Sequence, residues 1–116
     1  MALSTTGYEN DNVGAFIRKD PGSTLDYIIE WSDWLGSDSI ASVSYAISSE
    51  AETSPTLTTS TAITGLAATS TSGTTSTIVL TAGTEGVVYT VTCTMTTSVG
   101  RIVKRSFRVK VETVHL

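Results

Sequence analysis

Two alternating runs close the chain and leave few folds open to it. From Val88 to Thr97, Tyr89, Val91, Cys93 and Met95 fall on one side, and Thr90, Thr92, Thr94 and Thr96 on the other. After Ser98-Val99-Gly100 the pattern resumes over Arg101 to Glu112. There Val103, Arg105, Phe107, Val109 and Val111 oppose Ile102, Lys104, Ser106, Arg108 and Lys110. A period of two is that of a half-buried strand, and two such runs joined by a short Gly-containing link predict a hairpin. A hairpin with one apolar face needs a second layer to cover it.

The rest of the chain supplies strands for that layer. Val13 to Lys19 reads as a short edge strand stopped by Asp20-Pro21-Gly22, a strong turn signal. Leu25 to Trp31 alternates, with Leu25, Tyr27, Ile29 and Trp31 opposite Asp26, Ile28 and Glu30, and Trp34-Leu35-Gly36 closes it. Ala41, Val43, Tyr45 and Ile47 fall together over Ile40 to Ile47, and Thr75 to Thr81 is a further short strand. Between them, residues 48–77 are dominated by Thr, Ser, Ala and Gly. Strands are expected there near Leu57 to Ile63 and Leu66 to Ser70, after a loop around Glu50 to Pro55. The 22 Thr and 16 Ser among 116 residues suit strands and turns. No segment reads as a helix, so the expectation is an all-β sandwich of about seven antiparallel strands. Residues 1–13 are expected to form a flexible arm and residues 14–116 a single domain.

Composition excludes several functions. No apolar run reaches the length of a membrane-spanning helix. Cys93 is the only cysteine, so no inter-sheet disulfide can form, and its parity makes it a small buried hydrophobe. Met1-Ala2-Leu3-Ser4 lacks the regions of a secretory signal, which gives the expectation of synthesis in a reducing compartment. One cysteine and one terminal histidine, His115, rule out Cys/His zinc sites and leave a catalytic triad without a supported base. Asp26, Glu30, Asp33 and Asp38 form the only carboxylate-rich patch, and Asn10-Asp11-Asn12 before Gly14 is only a fragment of a calcium loop. The expectation is no catalytic residue, metal, cofactor or small-molecule substrate.

The net charge of −4 argues against nucleic-acid binding, but the charge is unevenly spread. Residues 1–52 carry −7 and residues 53–116 carry +3, with the bases gathered as Arg101, Lys104, Arg105, Arg108 and Lys110. Such halves pair within the fold or meet between subunits. Lys104, Arg108 and Lys110 against Asp33 and Asp38 are the candidate interface. Parity places Arg105 on the apolar face, where an acid from the first half, Asp26 or Asp33, is the expected partner.

Gly83 and Gly86 lead into Tyr89 near the start of the penultimate strand, which resembles the tyrosine corner of immunoglobulin-like domains. Beyond that corner, Lys19-Asp20-Pro21, Leu25-Asp26-Tyr27, Glu30-Trp31, Trp34-Leu35 and Asp38 with Ile40 form one block. Gly83, Gly86, Tyr89, Val91, Thr97, Gly100-Arg101 and Arg105-Ser106-Phe107 form another. Together they resemble small immunoglobulin-like virion proteins of tailed phages, the fiber–tail adaptors, over about residues 14–112. Asp26, Tyr27, Trp31, Trp34, Tyr89, Arg105 and Phe107 are the signature residues. The family often has Asp before the first Trp, where this chain has Glu30, and residues 50–64 are longer and richer in Thr than its usual connection.

The resemblance implies a non-enzymatic virion protein, assembled in the host cytoplasm. It would be present in multiple copies, with itself and other tail or fiber proteins as partners, and would link the tail to peripheral fibers. Apart from the resemblance, an open sandwich has unpaired sheet edges, and the polar arm is the candidate to donate a strand to a neighbour's edge. Two other readings stay open: a capsid decoration or head–tail connector protein, and a carbohydrate- or cell-binding module using Trp34 and Tyr8.

Overall fold

The computed structural model describes residues 9–10 and 15–113. The strands are β1 (Glu9–Asn10), β2 (Ala15–Lys19), β3 (Thr24–Glu30), β4 (Ile40–Ser48), β5 (Thr58–Thr59), β6 (Thr69–Ser72), β7 (Thr75–Thr81), β8 (Val88–Thr97) and β9 (Ile102–Val111). A single helical turn, α1 (Ser32–Leu35), follows β3. The first sheet runs β1-β2-β9-β8-β4; the second runs β3-β7-β5, with β6 also on β7. The two sheets make a β-sandwich of the immunoglobulin type, without a disulfide.

The closing hairpin forms as its alternation dictates. Tyr89, Val91, Cys93 and Met95 are fully buried, as are Val109 and Val111 at the far end of β9, while the Thr row is half-buried on the outer face. Each such aliphatic side chain stabilises the fold by about 1.5–3 kcal/mol. The turn closes with the Thr97 N–H donating to the Arg101 carbonyl at 2.9 Å, and Gly100 takes φ 94°, a conformation that favours glycine. The thiol of Cys93 is buried, and that burial pushes its pKa up.

Four details depart from the expected strands. The β2–β9 pair is parallel, with Phe16 opposite Arg108 and Lys19 opposite Val111. The chain enters the first sheet at that edge and crosses at the Asp20–Ser23 turn to start β3 in the second, so β2 runs the same way as β9. Ala41 is exposed and not on the inner face, because a bulge between Ile40 and Ser42 adds one residue and turns Ile40 inward. The central strands shrink to β5 and β6, which divide one edge of β7 between them. Finally, Ser32–Leu35 is a helical turn that buries Leu35. The expected arm, residues 1–13, lies outside the described residues except for Glu9 and Asn10, which pair with Phe16 and Ala15.

A buried hydrogen-bonded cluster joins the two sheets in the core. Ser76, on β7, is fully buried. Its Oγ accepts from the Trp31 indole N–H at 2.8 Å and from the Tyr45 hydroxyl at 2.9 Å, and lies 3.9 Å from Cys93 Sγ. Trp31 and Ser76 belong to the second sheet's side of the core, and Tyr45 and Cys93 to the first. Trp31 is itself wholly buried, so its N–H has no access to water. Ser76→Ala leaves that donor and the Tyr45 hydroxyl without this acceptor. It should lower stability by about 1–3 kcal/mol, the cost of an orphaned buried polar group. A denaturant titration checks this, and a loss under about 0.5 kcal/mol, the bottom of the range for a typical hydrogen bond, would show that the bridge contributes little.

Candidate interaction surfaces

One end of the sandwich is fixed by two polar clusters. Lys19 ends β2 on the inner face, fully buried, where its Nζ donates to the Ala82 carbonyl at 2.7 Å and the Asp20 carbonyl at 2.9 Å. Burial pushes the Lys19 pKa down, against the opposing pull of Asp20. Ala82 has φ 64° and Gly83 φ 101°; a Cβ on Gly83 would meet Val111 Cγ2 at 2.8 Å, so only glycine fits this approach. Lys19 thus holds the carbonyl of a left-handed residue at the point where β7 turns into β8.

Beside it, Tyr89 makes the expected corner and more. Its hydroxyl oxygen accepts from the Thr84 N–H at 2.9 Å, and its O–H donates to Glu52 Oε1 at 2.6 Å. Glu52 Oε2 accepts from the Thr84 hydroxyl at 2.6 Å, and Oε1 from the Thr56 N–H at 3.0 Å. These donors favour the carboxylate, and the Glu52 pKa falls from 4.5 to about 2, led by the Thr84 and Tyr89 hydroxyls. The low-complexity loop is tied down by this one side chain.

The other signature aromatics run from the core cluster around Tyr89, which holds Tyr27 and Phe107, to the opposite end, which holds Trp31 and Trp34. Tyr27 is buried against Phe107, ring centroids 6.1 Å apart. Its hydroxyl has no hydrogen-bond partner among the described residues, and burial pushes its pKa up to about 12, with Asp26 adding to the rise. Trp31 meets Trp34 edge-on at 6.0 Å. Arg105 does not pair with Asp26 or Asp33; its guanidinium lies over the Trp34 ring at 4.6 Å. It sits where α1, not an acidic strand, covers β9, and a stacked aromatic face takes the cation there. With one face so covered, Trp34 is 37% exposed. Tyr8 and His115 lie outside the described residues.

The candidate interface residues occupy two separate places. Lys104, Arg108 and Lys110 line the outer face of β9, beside the hydroxyls of β8; Thr92 and Ser106 oxygens stand 3.1 Å apart across the pair. On the same face Phe16 is buried under three cations, with Lys110 Nζ 3.8 Å, the Arg108 guanidinium 5.5 Å and the Arg18 guanidinium 5.8 Å from its ring centre. Asp33 is exposed on α1, and Asp38 sits by the β8–β9 turn. The Thr97 hydroxyl holds the Asp38 carboxyl below its ordinary range, helped by the Ser39 N–H at 2.8 Å and by Arg101. Asp26 is exposed on the outer side of β3. Among the described residues, no three His, Cys, Asp or Glu side chains converge as metal ligands would.

Sequence reasoning found the corner and the basic face but missed Lys19, Glu52 and Ser76. Lys19 had a signal, since it follows Ile17 with inward parity. Glu52 had none, because its partners Thr84 and Tyr89 lie far along the chain.

The Glu52 cluster has a pH signature. Its carboxyl takes up a proton less readily in the fold than in the open chain, so protonation is coupled to unfolding. The stability it contributes is complete above about pH 4.5 and is lost as pH falls towards about 2. Glu52→Gln should be less stable than the native chain near neutrality and should show a shallower fall through that window. Denaturant midpoints measured against pH test this, and parallel curves for the two proteins would refute it.

No characterised protein matches the chain. A family profile does: that of Gp77, described as podophage GP4 fiber-tail adaptor protein gp77, over residues 19–110. The match begins at the buried Lys19 and ends on β9, spanning both sheets and most of the chain. The chain belongs to the podophage fiber–tail adaptor family.

Proposed function

We propose that this protein is a non-enzymatic structural component of the phage tail that assembles in multiple copies and links the tail to peripheral fibers. The observation that carries the reading is the separation of charge on a rigid frame. Three bases share the outer face of β9, whereas Asp33 stands on α1 and Asp26 on the far sheet. Surfaces of opposite sign in different places favour head-to-tail contact, which forms rings when the rotation closes. Such a module acts by presenting surfaces, and its partners are other copies and neighbouring tail or fiber proteins. Synthesis in the host cytoplasm accords with a fold that needs no disulfide.

Light scattering on the purified chain over about 0.05 to 1 M salt tests the charge contact, because screening becomes strong across that range. A discrete multimer that dissociates with salt is expected. Lys104→Glu with Arg108→Glu should abolish it, and adding Asp33→Lys should restore part of it. A monomer at every salt concentration, or a multimer indifferent to the reversal, contradicts the charge contact.

A further inference from the structure

We propose that the first half of β9 is a docking edge for an extended, acidic segment of a partner protein, which adds to the first sheet as a strand in line with β2. On one side β9 pairs with β8 along its whole length, from Ile102 opposite Thr96 to Lys110 opposite Val88. On the other side β2 reaches only from Arg108 to Val111. No described strand pairs with Ile102 to Ser106 on that side.

The backbone parity of that edge follows from two hydrogen bonds. The Val111 N–H donates to the Val87 carbonyl, towards β8, and the Glu112 N–H donates to the Lys19 carbonyl, towards β2. The β8–β9 register is unbroken, so the alternation carries back along the strand. The N–H and C=O groups of Ile102, Lys104 and Ser106 therefore point to the open side. An extended chain laid there would complete a ladder that β2 has already begun.

The side chains say what kind of chain fits. Arg101, Lys104 and Arg105 belong to this half of the hairpin, which carries no acid, and Lys104 and Arg105 make no ion pair among the described residues. Ile102 is 66% exposed and Val99, at the turn, 69%. Alternation on an added strand would set acids beside Lys104 on the outer face and apolar residues beside Val103 on the other. The edge is thus basic and partly apolar, and an acidic, β-prone segment complements it.

That the donor is another tail or fiber protein rests on the adaptor reading; the edge itself does not. The test uses the full chain, labelled with nitrogen-15, and a synthetic peptide alternating Glu and Val. On titration to millimolar peptide, the amides of Ile102, Lys104 and Ser106 should shift and exchange more slowly with solvent. A counterpart with Lys in place of Glu should produce neither change. Ser106→Pro removes one outward N–H while leaving every charge and the β8 ladder in place, and should weaken binding by about tenfold or more. Lys104→Glu keeps every backbone group and should weaken it similarly, which guards against a proline variant that fails to fold.

Absence of these shifts, or equal shifts with the Lys peptide, overturns the proposal. Slowed solvent exchange of the Ile102, Lys104 and Ser106 amides on raising protein concentration without peptide would also overturn it, by assigning the edge to a second copy, whereas a charge contact between side chains leaves those amides open to exchange. Failure of salt-dependent assembly leaves the titration unaffected, so the two readings fail separately.

Discussion

The hydroxyl oxygen of Ser76 is the point on which the sandwich turns. Two sheets packed face to face are held mainly by apolar burial, which has no direction and tolerates sliding. A buried oxygen that accepts from Trp31 on one side of the core and Tyr45 on the other fixes their relative position. Cys93 lies next to it, so a hydrogen-bonded cluster occupies the core where antibody domains place a Trp against a disulfide. This fits a chain whose single thiol is buried and raised in pKa. Rigidity obtained this way does not depend on oxidation.

From that centre the two ends of the molecule differ. At one, Lys19 and Glu52 consume their charge internally, holding Ala82, Thr84, Thr56 and Tyr89 in a fixed turn. At the other, Arg105 lies on Trp34, and Val99 and Ile102 reach solvent. The remaining charged groups lie on other surfaces: the bases on β9, with Arg108 and Lys110 over Phe16, and the acids on β3 and α1. A frame that is internally satisfied at one end and exposed at the other suits a part that sits between two larger structures.

Much of this was legible in the residues, because period-two alternation is a direct image of a half-buried strand. The bounds of β7 and β8, the Asp20 turn and the tyrosine corner all follow from local chemistry that tertiary contacts do not override. What escaped was set at long range. Ala41 alternates correctly in sequence, yet a bulge exposes it, since the pairing of β4 with β8 decides where an extra residue goes. Arg105 was legible as an inward cation but not its partner, because the α1 turn depends on how Trp31 and Leu35 bury. Residues 48–77 carried little signal: Ser and Thr suit strands, turns and loops alike, and the region is anchored by Leu57, buried in the core, by Glu52 and by Ser76.

The central claim is that this domain works as a joint between tail and fiber. Electron microscopy of phage particles, in which this chain bears a small gold-binding tag, tests it most directly. The account predicts label in repeated copies at the junction of tail and fibers. Label on the capsid, or mature particles with none, would contradict it.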